Sequence, residues 1–174
     1  FGGIVFIANG LNFPDALAAG PAATSTFGPI LLVPPTGALP DDVRNEILRL
    51  GPDSVAILGK TDNVSAQAEA ELRTLLADPS AVFRVAGSSR DQTSAFLSDF
   101  VGEWVEVAPG ELQMMPPDTA IISTGLTFAD ALAGGAAGGW EYAPMLLTSS
   151  STVLNSSVAS ALQPIPADPQ SGFP

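Results

Sequence analysis

The 174-residue chain has no cysteine, no histidine and only six cationic side chains. Without cysteine, thiolate metal sites, disulfides and cysteine nucleophiles are excluded. Without histidine, the chain lacks the commonest general base and the commonest zinc ligand. We therefore expect neither a resident metal ion nor another cofactor.

Cationic residues are also too few to balance the acidic ones, and the net charge is −12. Nucleic-acid backbones and anionic membranes both attract basic surfaces, so we expect no nucleic-acid partner. No apolar run approaches the roughly 20 residues of a membrane-spanning helix, and we expect no membrane insertion. The chain opens at Phe1 without an initiator Met or a signal peptide, which suggests a mature fragment or an excised piece.

What is present is a repeat with an offset of 115 residues. Residues 10–20 fall on residues 125–135, and Pro29-Ile30-Leu31-Leu32 falls on Pro144-Met145-Leu146-Leu147. Between positions 10 and 32, twelve of 23 residues are identical to their partners. The register holds without a gap, which indicates duplication of one structural unit.

Each copy predicts strands that alternate with helices. Short apolar runs typical of buried strands cover residues 4–8, 29–33, 54–58 and 81–85, and then 120–123 and 144–148. Helices are predicted after Asp15 and Asp130, over residues 40–50, from a Ser65 cap to about residue 76, and over residues 92–101. In the last of these, Phe96, Leu97, Phe100 and Val101 are expected to be buried. The pattern predicts an α/β fold of repeated βαβ units with mainly parallel sheets, in Rossmann-like or Toprim-like three-layer modules.

The repeat also suggests how the chain is divided. We assign residues 1–80 to a first repeat and residues 81–163 to a second, in which residues 102–118 form a linker or irregular insertion. The second copy stops before any counterpart of residues 54–76, so its missing part is either truncated or supplied by another unit. Residues 164–174 form a proline-rich tail that we expect to be extended or mobile.

Four spaced motifs carry a resemblance to a known family. They are Arg84-Val85-Ala86-Gly87 with Arg90, then residues 10–17 (Gly-Leu-Asn-Phe-Pro-Asp-Ala-Leu), Pro29-Ile30-Leu31-Leu32, and residues 57–65 (Ile-Leu-Gly-Lys-Thr-Asp-Asn-Val-Ser). Together they resemble the cell wall binding repeat 2 family of Gram-positive surface and secreted proteins. Lys60 replaces a glycine of the family pattern, and Ala129 and Met145 depart from it in the second copy.

The resemblance implies an extracellular, cell-wall-associated module that anchors a secreted parent protein without catalysis. Such modules usually occur as three tandem repeats, and the ligand is a wall polymer, either a secondary polysaccharide or a teichoic-acid-like chain. The Pro-Ile-Leu-Leu segment is associated with anchoring. Since a polyanion fits a chain of net charge −12 poorly, either a bridging divalent cation or a neutral glycan would reconcile the two.

We choose the expected ligand-binding residues from the motifs and from the properties of their side chains. They are Asn12, Asp15, Pro29, Ile30, Leu31, Leu32, Arg84, Arg90, Asp130 and Pro144. The two aspartates begin helices at the carboxyl ends of strands, where ligands bind parallel sheets, but a helix cap also explains them. The two arginines suit a polyanion, or else an internal ion pair with Asp91 or Asp99. We expect their joint replacement by alanine to weaken wall association without unfolding the protein.

Two other functions stay open at this point. A carbohydrate-active enzyme could use Asp15 and Asp130 as a carboxylate pair, but members of a repeat are expected to share one environment, whereas acid and base need different ones. No catalytic residue is therefore assigned. A structural spacer, acting through homo-oligomer formation or through packing against further repeats, would explain the incomplete second copy.

Overall fold

A computed structural model describes residues 3–163. Its strands are β1 (Ile4–Asn9), β2 (Ile30–Val33), β3 (Ser54–Leu58), β4 (Val82–Val85), β5 (Glu103–Ala108), β6 (Glu111–Met115), β7 (Ile121–Thr124) and β8 (Met145–Thr148). Its α-helices are α1 (Pro14–Ala18), α2 (Gly20–Ser25), α3 (Asp41–Leu50), α4 (Ala66–Leu75), α5 (Arg90–Leu97), α6 (Ala129–Trp140) and α7 (Ser156–Ala161). The tail at residues 164–174 lies outside the described residues.

The first sheet is parallel and four-stranded, in the order β2-β1-β3-β4, and its last strand comes from residues that we assigned to the second repeat. Side chains alternate along β1, so that Phe6 and Ala8 pack on one side with α1 and α2 while Val5 and Ile7 pack on the other with α3 and α4. Both faces are therefore covered, which is why these strands read as continuous apolar runs. The predicted α/β fold with a parallel sheet is confirmed.

Several local predictions are also confirmed. Strand β3 covers the predicted residues 54–58. The Ser65 side chain caps α4 and accepts a hydrogen bond from the Ala68 N–H at 3.0 Å. Val43 and Ile47 lie buried on the inner face of α3, as the helical spacing predicts.

The predicted irregular insertion is a β-hairpin. Strands β5 and β6 pair antiparallel around a turn that contains Gly110 at φ +78°. The hairpin is attached to the first copy through Trp104, whose indole N–H donates to the Ser25 carbonyl at 2.7 Å. The irregular conformation predicted for residues 102–118 was wrong, because these mostly exposed strands lack the regular apolar alternation that indicates a strand.

Helix α5 also differs from its prediction. It begins at Arg90 and ends at Leu97, and a 3₁₀ turn over Ser98–Phe100 follows. Phe96 was expected in the core but is 41% exposed. Leu97 and Val101 are buried as predicted, but the buried residues of the helix also include the polar Asp91 and Ser94.

The second copy has a two-stranded parallel sheet of β7 and β8. Its helix α6 is continuous, whereas the first copy has two short helices, α1 and α2, in the same place. Pro21 explains the difference, because proline lacks the N–H group that the interior of a helix requires. The counterpart of Pro21 in the second copy is Ala136.

The two copies meet along α2 and α6, where small residues allow a close approach. A Cβ on Gly139 would lie 2.7 Å from the Thr24 hydroxyl oxygen, and a Cβ on Gly20 would lie 3.6 Å from the Gly135 Cα. Beside this contact, the counterpart rings of Phe13 and Phe128 pack edge to face with centroids 6.0 Å apart. We expect Gly20 and Gly139 to tolerate only small side chains.

Helix α5 follows β4 of the first sheet and makes polar contacts with the end of β8 in the second sheet. We call these contacts the α5–β8 contact. The Ser94 hydroxyl accepts from the Leu147 N–H at 2.8 Å, and the Asp91 carboxylate accepts from the Ser149 N–H at 3.1 Å. The Ser149 hydroxyl donates to the same carboxylate, and the Arg90 guanidinium donates to the Gly125 carbonyl. Under this helix, Leu147 is 1% exposed, whereas its counterpart Leu32 on β2 is 54% exposed.

This pair gives a matched test of the packing. We expect Leu147→Ala to lower the free energy of unfolding by about 2–5 kcal/mol, because it leaves a cavity in the core. Leu32→Ala should cost no more than about 0.5 kcal/mol, as an exposed substitution. Urea denaturation of both variants measures the difference, and equal losses would contradict the burial of β8 by α5.

Candidate functional site

A polar cleft opens at the carboxyl ends of β1, β3 and β4. It encloses about 150 Å³ between three loops, which follow β1, β3 and β4. Its walls are formed by Asn12, Pro14, Asp15, Gly59, Lys60, Asp62, Asn63, Gly87, Ser88, Ser89, Arg90 and Thr93. In open parallel sheets this is the edge where ligands bind.

Asp15 lies at the base of the cleft and is 7% exposed. The N-cap of α1 is Phe13, and Asp15 stands in the first turn, where its carboxylate accepts from the Asn63 side-chain amide at 3.1 Å. Burial raises the pKa of Asp15 above its ordinary value, the nearby Arg90 charge lowers it, and the Asp62 charge raises it. Burial at the base of the cleft therefore disfavours the charged form of the Asp15 carboxyl group.

Asparagine side chains surround this carboxylate. The Asn63 side-chain oxygen accepts from the side-chain amides of Asn12 at 3.3 Å and Asn9 at 3.5 Å. Asn9 also holds the β1–α1 loop, because its side-chain oxygen accepts from the Leu11 N–H at 2.8 Å. Asn9 and Asn63 were not among the predicted site residues. Asn9 ends β1 and Asn63 lies in the loop after β3, and this position near a strand end was the available signal.

Glycines allow the cleft walls to approach one another. Gly59 has φ +79°, and a Cβ there would lie 2.4 Å from the Asp15 carboxylate and 2.5 Å from the Asn63 amide nitrogen. A Cβ on Gly87 would lie 2.6 Å from the Thr93 backbone nitrogen. Any larger residue at either position would displace a wall of the cleft.

The start of α5 forms the third wall. The Ser89 hydroxyl caps the helix by accepting from the Gln92 N–H at 3.3 Å. The Gln92 side chain returns to accept from the Ser88 N–H at 2.6 Å. This reciprocal cap fixes the turn and places Arg90 at the cleft.

Arg84 is bound inside the protein next to the cleft. Its guanidinium donates to the Glu69 carboxylate at 2.6 Å and to the carbonyls of Gly59 at 2.7 Å and Val64 at 3.1 Å. The hydrogen bond from Arg84 lowers the pKa of the Glu69 carboxyl. The internal partner of Arg84 is thus Glu69, and neither Asp91 nor Asp99 takes that place.

This arrangement changes the expectation for the arginine replacements. Loss of Arg84 would leave the Glu69 carboxylate and two carbonyls of the β3–α4 loop without their donor, which destabilises a fold. Arg90 likewise donates to the Gly125 carbonyl at the end of β7. Replacement of both Arg84 and Arg90 by alanine would therefore destabilise the fold, so that a loss of wall association would not identify a binding residue.

Of the ten predicted ligand-binding residues, the cleft brings together Asn12, Asp15 and Arg90. Pro29, Ile30, Leu31 and Leu32 lie in or next to the edge strand β2. Pro144 is buried before β8, with its carbonyl accepting from the Ile121 N–H. Arg84 lies behind the cleft wall.

Asp130 is exposed, unlike its counterpart Asp15. The prediction of a shared environment was wrong because loops after β3 and β4 enclose Asp15, and the described part of the second copy has no strands that correspond to them. The two carboxylates therefore do not form one site.

Known proteins share part of the sequence of the chain and its fold. The chain is 28% identical over 144 residues to the amidase enhancer of Bacillus subtilis (strain 168), covering 83% of this chain and 18% of that protein. Its structure is similar to Cwp6 from Clostridium difficile, with a TM-score of 0.73, 23% identity and coverage of 91% of this chain and 23% of the other. Cwp8 from the same organism gives a TM-score of 0.70 with 21% identity, covering 91% of this chain and 24% of that one. The chain thus spans less than a quarter of the length of each relative, and the structural likeness establishes the fold.

The family follows from the sequence itself. The model of cell wall binding domain 2 (CWB2) matches residues 1–69 and 84–165, which covers most of the chain in two segments. This confirms both the resemblance seen in the motifs and the duplication. The chain belongs to the cell wall binding domain 2 family, and it is a cell-wall-associated binding domain.

Proposed function

We propose that the cleft at the strand ends binds one unit of a wall polysaccharide and that it catalyses no reaction on it. The observation that carries this proposal is the buried Asp15 carboxylate, held by Asn63 at the base of an open polar cleft. A fold does not require a desolvated carboxylate at this place, and such groups concentrate at functional sites.

The chemistry of the cleft suits a hydroxyl-rich ligand. Carboxylates accept hydrogen bonds and carboxamides both donate and accept them, which matches the alternating needs of sugar hydroxyls. The two carboxylates of the lining, Asp15 and Asp62, are balanced by the two cations, Lys60 and Arg90. The cleft is therefore neutral overall within a chain of net charge −12.

This charge distribution distinguishes the two classes of polymer. A teichoic-acid-like polyphosphate would meet repulsion from the chain as a whole. A neutral or sparsely charged secondary polysaccharide would meet none, and a single anionic group could pair with Lys60 or Arg90. We therefore propose the polysaccharide.

The size of the cleft indicates weak binding by one module. About 150 Å³ is small beside the roughly 300–1,000 Å³ of sites that enclose a drug-sized ligand. Repeated modules on one parent protein would raise the apparent affinity through effective concentration. Anchoring of a longer secreted protein by several such modules follows from the proposal.

Glycoside hydrolysis is a second candidate, favoured by one observation. Asp15 has a raised pKa and Asp62 lies on the same cleft, so the two resemble a general acid and its base. Against this, Asp15 accepts from the Asn63 amide, a bond that favours the charged form over the protonated acid. Measurement of released reducing ends separates binding from hydrolysis.

Packing against further repeats is the remaining part of the proposal. Ile122 on β7 is 47% exposed, whereas its counterpart Ile7 on β1 is fully buried against α3 and α4. We infer that this face of β7 packs against helices of the α3 and α4 type from a further repeat.

Sedimentation with isolated Gram-positive cell walls tests polymer binding, before and after the secondary polysaccharides are extracted. We expect Asn12→Ala to weaken association about tenfold, because it removes one hydrogen-bonding side chain from the cleft. Asn45→Ala is the matched control, since Asn45 is exposed on α3, away from the cleft.

Equal association of both variants, or association that survives extraction, would contradict the proposal. Release of reducing ends from the extracted polysaccharide would instead favour hydrolysis.

A second prediction uses the raised pKa of Asp15. Because the folded protein binds this proton more tightly than the unfolded chain, ionisation of Asp15 opposes folding as the pH rises above about 4. The neutral isostere Asp15→Asn should therefore be at least as stable as the wild type at pH 7, with a difference that vanishes below about pH 4. Its wall association should nevertheless fall at least tenfold.

Urea denaturation from pH 3 to pH 7 measures this change alongside sedimentation. A variant that is less stable at pH 7 would show that the carboxylate serves the fold, and retained wall association would exclude it from the site.

A further inference from the structure

The charged side chains of the cleft do not pair with one another. Asp15 and Asp62 carry its negative charges, and Lys60 and Arg90 carry its positive charges. The four ion pairs in the described part of the chain involve none of these side chains. The cleft therefore presents opposite charges that remain available to a ligand.

The Asp15 carboxylate has fewer hydrogen-bond donors than it can accept. It is 7% exposed, and its donor among the described residues is the neutral Asn63 amide. An ionised carboxylate accepts about four hydrogen bonds, and a buried charge is unfavourable without a compensating partner. The Arg90 charge lowers the pKa of Asp15 without an ion pair, and its guanidinium donates to the Gly125 carbonyl. A cationic donor from the ligand would supply the partner that Asp15 lacks.

The positive charges stand on the other walls of the cleft. Asp15 follows β1, whereas Lys60 follows β3 and Arg90 follows β4, so both cations lie on one side of β1 in the sheet. Arg90 begins α5, whose free N–H groups add a partial positive charge. The exposed Ser88 and Ser89 precede it. These walls suit an anionic group such as a carboxylate or a phosphate.

A ligand unit with both charges matches this arrangement. Its ammonium group would meet Asp15, and its anionic group would meet Lys60 and Arg90. Such a unit is neutral overall, so a chain of net charge −12 does not repel it. A divalent cation fits less well, because the two cationic side chains would repel it and only two carboxylates line the cleft.

We propose that the sugar unit bound in the cleft carries a free amine and an anionic substituent. This inference rests on the proposed function and adds the chemical class of the sugar. The amine binds Asp15 with a charge-assisted hydrogen bond, and the anionic substituent binds Lys60 and Arg90. An N-acetylated sugar is bound more weakly, because it leaves the buried carboxylate without a charged partner.

Isothermal titration calorimetry of the full chain with extracted wall polysaccharide tests the proposal, before and after acetylation with acetic anhydride. Acetylation converts free amines to neutral amides and leaves the sugar chain intact. We expect it to weaken binding at least tenfold. In Asp15→Asn the same acetylation should have no effect, because the partner of the amine is already gone.

Lys60→Gln tests the anionic half of the site. It should weaken binding of the untreated and the acetylated polysaccharide by the same factor, because it acts on a different group of the ligand. Asp53→Asn is the matched control for Asp15→Asn, since Asp53 is exposed just ahead of β3, at the opposite end of the strand from the cleft. It should respond to acetylation as the wild type does.

Equal binding of the two polysaccharide forms by the wild type would overturn the inference while leaving polysaccharide binding in place. An equal response of Asp15→Asn and Asp53→Asn to acetylation would also overturn it, as would unchanged binding by Lys60→Gln. Untreated polysaccharide that does not bind at all would overturn the proposed function itself, and this inference with it.

Discussion

The structure depends on the α5–β8 contact more than on any other single interaction. Asp91 and Ser94 bind the end of β8 from one side of the helix, while Ser89 and Arg90, in the preceding turn, line the cleft. The same helix start therefore joins the two sheets and forms a wall of the candidate site. The geometry of the cleft and the packing of the repeats are coupled through these few residues, and the energetic cost of burying them is met by hydrogen bonds to backbone groups.

Duplication within one chain separates the effect of sequence from the effect of surroundings. Asp15 and Asp130 occupy equal positions, yet the first is buried and the second exposed, because two loops enclose only the first among the described residues. Leu32 and Leu147 differ in the same way, because Leu147 packs in a cluster with Leu97 of α5 and with alanines of α1 and α2. The duplicated residues therefore take their burial from elements outside their own copy of the duplicated stretch.

Patterns that are local in sequence predicted most of the fold. The runs at β1 and β3, the Ser65 cap and the buried face of α3 are each specified by neighbouring residues. Contacts between residues distant in sequence were not predictable. Arg84 can bind Glu69 only if β4 lies beside α4. Asn63 reaches Asp15 only after the sheet has formed. The hairpin of β5 and β6 was not predicted either, because its two strands show no regular alternation of buried and exposed residues.

We propose that the polymer binds at the cleft and not at residues 29–32. Titration of the protein with extracted wall polysaccharide, followed by backbone amide NMR, tests it most directly. The account predicts shifts concentrated at Asn12, Gly59, Asn63 and Ser88, with Ile30, Leu31 and Leu32 unaffected. Shifts concentrated at Ile30, Leu31 and Leu32, with the cleft amides unchanged, would contradict it.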